Sequence, residues 1–174
     1  SGDGVDSSVV NTDGKNKCEV IINKYFEYDK KTKEDILELR EHINKPKDFE
    51  NLKDKIAIFE KNITLFHTKI VNDFAAQNID FVGFHGQTIY HNAEEKITKQ
   101  LGDGKLLSNT TKKNIVYNFR QNDLKHGGEG APLTPIFHKL LINQKKINLP
   151  VTILNIGGIA NVTSVIKKDE IFSL

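Results

Sequence analysis

The 174-residue sequence predicts an α/β fold in which helices flank a mixed β-sheet. Three observations point to this class. The chain opens with a hairpin pattern, strand-length and helix-length apolar segments then alternate, and glycine- and proline-containing turns separate the later segments. The composition, with 37% hydrophobic and 28% charged residues, is typical of a globular protein. No stretch of the sequence approaches the roughly 18 apolar residues of a membrane-spanning helix.

The N-terminal elements are predicted to be a β-hairpin followed by a helix. Residues 5–10 and 18–28 are rich in β-branched and aromatic residues, and the turn-forming residues 11–14 lie between them. Residues 34–43 carry apolar side chains at helical spacing, and Pro46 ends that helix.

The clearest periodicity of the sequence lies between residues 48 and 77. Apolar residues recur there every three or four positions, which predicts one long helix. The stripe consists of Phe49, Leu52, Ile56, Phe59, Ile63, Phe66, Ile70 and Phe74. The helix either packs on the sheet as part of the core or serves as a coiled-coil or partner-binding helix. Phenylalanine is bulkier than a dimeric coiled-coil seam prefers, and this favours the core position.

The rest of the chain is predicted to alternate strands with short helices. Strands are predicted at residues 79–84, 97–101, 115–117, 151–155 and 160–166, and helices at residues 104–110 and 131–142. The second of these helices is placed at Pro132, because proline suits the first turn. Composition changes near Lys125, where glycine and proline become frequent. This change indicates a domain boundary near residue 125.

Charge and cysteine content exclude some classes of function. The 25 basic and 23 acidic residues give a net charge of +2, so a concentrated basic face for nucleic acid is not predicted. Cys18 is the single cysteine, which excludes an internal disulfide and favours a reduced, inert thiol. Arg40 and Arg120 are the only arginines. Arginine binds carboxylates and phosphates better than lysine does, so both positions are of interest.

Polar residues gather after three predicted strands, where open α/β sheets bind their ligands. Arg120 either grips an anion or pairs with Asp123 to order a loop. Gly157 and Gly158 form either a simple turn or a cradle for phosphate oxygens. A histidine after a strand, such as His85, is usually a hydrogen-bonded structural residue. The three clusters are His85, Gln87 and Thr88; Arg120 and Asp123; and Gly157, Gly158 and Asn161.

The N-terminal residues resemble a phosphate-binding turn with two aspartates. Asp3 and Asp6 could hold a magnesium ion that in turn binds phosphate, or the segment is a frayed terminus. The sequence contains no HExxH, CxxC, Walker A or GxSxG motif. His85 and His91, six residues apart, are not interpreted as a metal-binding pair.

Five motifs occur in the order in which they occur in the anhydro-N-acetylmuramic acid kinase family. They are HGQTIYH at residues 85–91, QLGDG at 100–104, NFR at 118–120, GGEGAPLTPIFH at 127–138 and LNIGGIANVT at 154–163. The chain resembles this family over essentially its whole length. The resemblance implies a ribonuclease-H-like mixed sheet of the sugar kinase, Hsc70 and actin superfamily. It also implies two domains around an ATP cleft, a cytoplasmic location and a homodimer, with no nucleic-acid or membrane partner.

The resemblance also implies an activity and a set of site residues. Family members use ATP and Mg²⁺ to open the 1,6-anhydro ring of anhydro-N-acetylmuramic acid with water. They phosphorylate its O6, which gives N-acetylmuramic acid 6-phosphate and ADP during cell-wall recycling. By this resemblance Thr88 and Arg120 contact the sugar, and Gln87 and Asp123 support them. The implied nucleotide- and phosphate-binding residues are Gly2, Asp3, Gly4, Asp6, Gly157, Gly158 and Asn161, with Asp3 as the metal ligand.

The sequence departs from the family pattern in three places. The family's phosphate loop reads SGTSxDGxD, whereas Gly2 is followed here directly by Asp3. Glu129 and Asn118 stand where the family usually has glutamine and aspartate. The catalytic aspartate, in an FDxGPGN motif, is expected beyond Leu174, so no catalytic residue is predicted within the chain. The resemblance implies the N-terminal portion of such a kinase, with residues 1–125 forming most of the first domain and residues 126–174 the start of the second. The alternatives are an inactive truncated remnant with residual ligand binding and a non-enzymatic interaction module.

Overall fold

The computed structural model describes residues 2–156, 160–167 and 170–173, and the structural findings below concern these residues. They form strands and helices in mixed order, so the predicted α/β class is confirmed. The described strands pair as β1–β2, β3–β6, β4–β5 and β7–β8–β9. The finer ribonuclease-H-like arrangement of one mixed sheet stays a prediction.

The chain divides into two compact units. The larger unit comprises Gly2–Ser7 and Tyr25–Gly130, and the smaller unit comprises Ser8–Lys24 and the described residues of Ala131–Leu174. The domain boundary predicted after residue 125 stays a prediction.

The predicted N-terminal hairpin is confirmed. Strand β1 (Gly4–Thr12) pairs with β2 (Cys18–Glu27). The connecting turn is held by Asp13, whose Oδ1 accepts hydrogen bonds from the backbone amides of Lys15, Asn16 and Lys17, each at 2.9 Å. These bonds stabilise the carboxylate and lower the pKa of Asp13 to about 2. A turn of this kind agrees with the Asp-Gly sequence that predicted it.

Three helices of the larger unit come after the hairpin in the chain. Helix α1 (Lys30–His42) is capped at its N-terminus by Asp29, whose carboxylate accepts a hydrogen bond from the amide of Thr32. The prediction of a single helix over residues 48–77 was wrong. The structure has two helices there, α2 (Asp48–Asn51) and α3 (Lys53–Asp73). The chain leaves helical geometry at Leu52, with φ −106° and ψ 12°. Phe49 packs edge-on against Tyr90 at 5.5 Å, so tertiary packing overrides the uniform periodicity in this turn.

The apolar stripe faces the core of the larger unit. Of its eight side chains, Ile56, Ile63, Ile70 and Phe74 are buried. The described core cluster contains Tyr28, Ile36, Leu39, Ile43, Ile56, Ile63, Ile89 and Leu101. The interpretation as a core helix is confirmed, and the stripe is therefore not free to bind a partner. Within the described residues no helix is both long and apolar enough to cross a bilayer.

The second half of the larger unit positions the candidate site. Strand β3 (Val82–Phe84) pairs in parallel with β6 (Ile115–Tyr117), in the register Val82↔Ile115 and Phe84↔Tyr117. Strand β4 (Gln87–Asn92) pairs antiparallel with β5 (Ile97–Leu101). Helix α4 (Gly104–Thr111) precedes β6, and helix α5 (Phe119–Lys125) follows it.

Two of these elements were not predicted. The residues of strand β4 were interpreted as a strand end and a turn. They are mostly polar, Ile89 is the one buried residue, and no apolar alternation is visible. Helix α5 was interpreted as a loop, because it is short and its single buried side chain, Leu124, gives no periodicity. The residue before α5, Asn118, has a left-handed φ of 67°. Asparagine and aspartate both tolerate that conformation, which accounts for either residue at this position.

Besides the hairpin residues Ser8–Lys24, the smaller unit contains one helix and a three-stranded antiparallel sheet. Helix α6 (Pro135–Lys145) precedes β7 (Val151–Asn155), β8 (Asn161–Lys167) and β9 (Glu170–Ser173), with β8 in the middle. The predicted helix start at residue 131 was wrong. Proline at position 135 fits the first turn of a helix but would clash with a carbonyl four residues earlier inside one.

Two side chains of α6 hold the smaller unit together. The side chain of Gln144 bonds both backbone groups of Cys18: its Oε1 accepts from the amide at 2.9 Å, and its Nε2 donates to the carbonyl at 3.0 Å. His138 Nδ1 lies 2.8 Å from the hydroxyl of the buried Thr163 on β8. Cys18 is a free thiol, as the sequence predicted.

Candidate functional site

Two parallel strands bring together residues that are far apart in the sequence. Strand β3 ends immediately before His85, and β6 ends shortly before Arg120, which lies in the first turn of α5. Because β3 and β6 are parallel neighbours, their carboxyl ends meet at one edge. The larger unit therefore carries a strand-end site around Arg120.

Arg120 is bonded directly to His85. The Nε–H of Arg120 donates to Nε2 of His85 at 2.8 Å. The other ring nitrogen, Nδ1, lies 2.8 Å from the carbonyl oxygen of Gly86. Since Nε2 accepts a hydrogen bond, the ring proton is on Nδ1 and is donated to that carbonyl. The two contacts together define a neutral histidine in a single tautomer.

The surroundings favour the neutral form of His85. Desolvation lowers the pKa of His85, and the positive charge of Arg120 lowers it further, while the bond to Gly86 acts in the opposite direction. Burial also lowers the pKa of His67 on α3 and of His91 on β4, with added repulsion from His85 and Arg120 respectively. The guanidinium of Arg120, which stays charged even though its burial lowers its pKa, thus lies among neutral imidazoles.

A glycine-rich loop holds the other side of the guanidinium. Nη1 of Arg120 donates to the carbonyl oxygen of Gly130 at 2.7 Å. The amide of Gly130 in turn donates to Oδ2 of Asp123 at 2.8 Å. Among the described residues no ion pair joins Arg120 to Asp123, so the predicted direct pairing is replaced by an indirect link through the loop backbone.

The loop needs glycine at two positions. Gly130 has a left-handed φ of 73°, and a Cβ there would also press on Leu124 and on the ring of His91. A Cβ on Gly128 would collide with the carboxylate of Asp123. The amide of Gly128 also donates to the carbonyl of Asp123 at 3.0 Å. Loop and carboxylate are therefore packed as one piece.

The held arginine keeps part of its binding capacity. A guanidinium has five N–H donors, and those bonded to His85 and Gly130 account for two. The remaining three, all on the terminal nitrogens, have no partner among the described residues. The side chain is half-buried. Such a pre-oriented guanidinium can bind a carboxylate or phosphate through two parallel hydrogen bonds.

Gln87 and Thr88 begin β4, two and three residues after His85. Nε2 of Gln87 donates to the carbonyl of Thr88 at 3.4 Å, and the hydroxyl of Thr88 accepts from Nε2 of Gln100 at 3.4 Å. Both side chains are half-buried. Among the described residues neither bonds to Arg120. Gly86, with φ 71° and no room for a Cβ beside the carbonyl of Leu101, fixes the turn that separates them from His85.

The predicted phosphate-binding residues at the N-terminus also lie in the larger unit. The carbonyl of Asp3 accepts from the amide of Tyr28 at 2.9 Å, and β1 starts at Gly4, so the segment is anchored and not frayed. Gly4 lies so close to the carbonyl of Phe26 that a Cβ would collide with it. The carboxylates of Asp3 and Asp6 are exposed and have no hydrogen-bond partner within the described residues. Over residues 2–156, 160–167 and 170–173, no three His, Cys, Asp or Glu side chains cluster as a metal site.

The last predicted cluster lies in the smaller unit. Asn161 begins β8 opposite Asn155, and its buried Oδ1 has no hydrogen-bond partner among the described residues. A buried, unpaired acceptor is unusual and calls for a donor. Gly157 and Gly158 lie outside the described residues.

The sequence placed His85 in a polar cluster with Gln87 and Thr88 and favoured a hydrogen-bonded structural role for it. The structure confirms that His85 is hydrogen-bonded, but its bond to Arg120 was not predicted. The missing information was the strand pairing: β3 and β6 are separated by 30 residues and two other strands. Had that parallel pairing been assumed, the positions of His85 and Arg120 just beyond the two strand ends would have indicated their contact.

The fold and the site define an α/β protein whose polar side chains gather around one arginine at the ends of parallel strands. A sequence model of the anhydro-N-acetylmuramic acid kinase family matches residues 1–174. The chain belongs to the anhydro-N-acetylmuramic acid kinase family, and the resemblance drawn from its motifs is confirmed.

Individual relatives agree with this assignment. An anhydro-N-acetylmuramic acid kinase of Pelagibacter ubique is 56% identical over 173 residues, covering 98% of this chain and 46% of the relative. Kinases of the same name from Agrobacterium fabrum and Brucella canis are each 36% identical, covering 94% and 95% of this chain and 46% of each relative. The chain thus spans about half the length of the curated relatives it matches.

Proposed function

We propose that the full-length protein is an ATP-dependent kinase that opens the 1,6-anhydro ring of anhydro-N-acetylmuramic acid and phosphorylates O6. The products are N-acetylmuramic acid 6-phosphate and ADP, and the reaction serves cell-wall recycling. Family membership supports the reaction. The observation that carries the proposal is the guanidinium of Arg120, held by His85 and Gly130 with its remaining N–H groups free.

Arg120 is proposed to bind the lactyl carboxylate of the sugar. A carboxylate is the natural partner of an arginine that presents two parallel donors. Asp123 does not neutralise Arg120 directly, because its carboxylate bonds to the amide of Gly130. The loop is thereby ordered without consuming the charge that the substrate needs.

Gln87 and Thr88 are proposed to contact the sugar ring and its N-acetyl group. Their side chains are half-buried and make only long hydrogen bonds within the protein, both at 3.4 Å. Such weakly engaged amide and hydroxyl groups can exchange those partners for ligand groups at little cost.

Nucleotide binding is proposed for Gly2, Asp3, Gly4 and Asp6, with Asp3 as the magnesium ligand. An exposed carboxylate that makes no hydrogen bond with a described residue fits the way Mg²⁺ is usually held, by one or two carboxylates together with phosphates. When bound, Mg²⁺ would neutralise charge on the transferring phosphoryl group. Gly157 and Gly158 remain proposed phosphate contacts by family resemblance alone.

Asn161 is proposed to contact the nucleotide through its carboxamide oxygen. That oxygen is buried and lacks a donor among the described residues. An acceptor cannot bind a phosphate oxygen, so its expected partner is a hydroxyl or amino group of the nucleoside.

Ring opening needs a general base that activates water, and no residue of this chain is assigned that role. The family resemblance implies an aspartate in an FDxGPGN motif for it. The resemblance also supports a ribonuclease-H-like, actin-like arrangement of two domains, a cytoplasmic location and a homodimer, which we include in the proposal.

A coupled assay of the full-length protein tests the function. The protein is given ATP, Mg²⁺ and anhydro-N-acetylmuramic acid, and ADP release is followed. The molecular mass of the sugar product is measured by mass spectrometry. We expect sugar-dependent ADP release and a product that has gained both water and a phosphoryl group. Arg120→Ala should raise KM for the sugar by about tenfold or more and leave KM for ATP nearly unchanged.

Arg40 provides the matched control, because it is the only other arginine and lies exposed on α1. Arg40→Ala should behave like the unmodified protein. The absence of sugar-dependent ADP release from folded full-length protein would overturn the proposed activity. An equal effect of Arg120→Ala on both substrates would instead remove Arg120 from the sugar site.

A further inference from the structure

We propose that His85 is a positioning residue: as a neutral hydrogen-bond acceptor it orients Arg120 toward a carboxylate and so makes the enzyme prefer the carboxylated anhydro-sugar over its neutral analogue. The inference rests on the proposed function for its choice of substrate. It assigns a role to a side chain that was not among the predicted ligand contacts.

Arg120 is restrained within the protein. A free arginine side chain loses rotamer entropy when it is fixed. Here Nε is bonded to His85 and Nη1 to Gly130, at 2.8 and 2.7 Å, so the plane of the guanidinium is defined before any ligand arrives. Pre-orientation of this kind lowers the entropic cost of binding.

The hydrogen-bond acceptor at position 85 is neutral. Aspartate or glutamate at position 85 would also accept from Arg120, but would pair with its charge and compete with a ligand carboxylate. A neutral imidazole takes one N–H of Arg120 and leaves the full positive charge available. Desolvation and the charge of Arg120 both lower the pKa of His85, which agrees with this state.

His85 is itself held in place by hydrogen bonding. Its Nδ1–H donates to the carbonyl of Gly86, whose own conformation is fixed by a left-handed φ and the absence of space for a Cβ. The neighbouring His67 is tied to the carbonyl of Ile63 at 2.8 Å and packs on the ring of Phe84 at 4.8 Å. The acceptor therefore keeps one orientation, and a positioning role needs that.

The test compares two variants and two sugars in the full-length protein. His85→Leu removes both ring nitrogens at similar bulk, and His85→Gln keeps an acceptor oxygen at the same number of bonds as Nε2. The sugars are anhydro-N-acetylmuramic acid and anhydro-N-acetylglucosamine, which lacks the lactyl carboxylate. The readout is kcat/KM for each sugar and KM for ATP.

The expected result is selective. His85→Leu should lower kcat/KM for the carboxylated sugar about tenfold and change that for the neutral sugar and KM for ATP less than twofold. His85→Gln should recover most of the loss. Equal loss for both sugars, or no loss, would overturn the positioning role. If the unmodified protein shows no sugar-dependent ADP release, the proposed function fails instead, so the two failures are distinguishable.

A spectroscopic measurement covers the case in which His85→Leu does not fold. In nitrogen-15 spectra of unmodified full-length protein at neutral pH, the ring of His85, assigned with His85→Gln, should show the neutral tautomer with its proton on Nδ1. A proton on Nε2, or a doubly protonated ring, is incompatible with a bond accepted from Arg120 and would overturn the inference.

Discussion

Nε2 of His85 accepts a hydrogen bond from Nε of Arg120 at 2.8 Å, although the two residues are 35 positions apart. The contact exists because β3 and β6 are parallel and both end at the same edge. A second contact, from Arg120 to the carbonyl of Gly130, links the same guanidinium to a glycine loop ordered by Asp123. The side chain of His85 and the backbone carbonyl of Gly130 thus determine how one positive charge is presented.

Asp123 should affect sugar binding without touching the sugar. In Asp123→Ala the buried amide of Gly130 loses its acceptor, which costs about 1–3 kcal/mol of stability. The loosened carbonyl of Gly130 then restrains Arg120 less well. We expect KM for the carboxylated sugar to rise several-fold and KM for ATP to stay the same, measured by ADP release.

Asp123→Asn is the control for this prediction, because its amide oxygen can still accept from Gly130. It should retain most of the affinity for sugar. If Asn is as damaging as Ala, the negative charge of Asp123 matters in itself, and the indirect link through the loop is not the explanation.

Gly128→Ala should disrupt the loop for a steric reason. A Cβ at this position collides with the carboxylate of Asp123, so either that side chain must rotate away from the amide of Gly130 or the loop must shift. We expect a loss of about 1–3 kcal/mol in the free energy of unfolding, measured by urea denaturation of the full-length protein. The comparison is Gly83→Ala on β3, where the nearest atom to a Cβ is on the ring of Phe119 at 3.8 Å. A larger loss for Gly83→Ala would contradict the packing described here.

Much of this fold is legible in the sequence where one face of an element is apolar. The stripe of α3, the β1–β2 hairpin and the strand over residues 115–117 follow directly from spacing and turn residues. Strand β4 and helix α5 could not be predicted in this way. Their residues are mostly polar, and they are specified by pairing with β5 and by following β6, which are tertiary facts.

The candidate site shows the same division. Arg120 stands out in the sequence, since arginine is rare in this chain, and the glycine loop beside it is evident. Its actual partners were not predictable, because the nearest acidic residue in sequence, Asp123, bonds to a backbone amide instead. Local charge complementarity suggested an ion pair, whereas satisfaction of the buried loop backbone decided the geometry.

Thr64 should be important for stability, because its hydroxyl joins α3 to the start of α4. The side chain is fully buried, donates to the carbonyl of Glu60 at 2.6 Å and accepts from the amide of Asp103 at 2.9 Å. In Thr64→Val the amide of Asp103 is left without its acceptor. We expect a loss of about 1–3 kcal/mol, seen as a lower midpoint in thermal or urea unfolding.

Thr64→Ser keeps the hydroxyl and removes only a methyl group, so it should cost less than the valine variant. Sugar and ATP kinetics of folded Thr64→Val should stay close to normal, since Thr64 bonds to backbone groups and not to the site around Arg120. A valine variant as stable as the unmodified protein would show that this bond contributes little.

Binding of the carboxylated sugar should weaken in mild acid. The competent form of His85 is neutral, and its pKa lies below the ordinary 6.5, mainly because of desolvation and also because of Arg120. KM for anhydro-N-acetylmuramic acid should therefore be constant between about pH 7 and 8 and rise only as the pH falls through the lowered pKa of His85. Protonation removes the acceptor at Nε2 and places a second positive charge beside Arg120, whereas the sugar carboxylate stays ionised in this range.

Two further histidines lie near this pair: His67 on α3 beside His85, and His91 on β4 beside Arg120. The carboxylate of Asp123 on α5 is linked to Arg120 through Gly130. Arg120 does not titrate in this range, and the two histidines also have lowered pKa values. His85→Gln separates their contributions, because glutamine accepts at every pH and should give a flat profile. If the rise in KM persists in His85→Gln, protonation of His67 or His91 is responsible. If KM in the unmodified protein stays constant across the pH range in which nitrogen-15 spectra show the ring of His85 gaining its second proton, the neutral state of His85 is not required for binding.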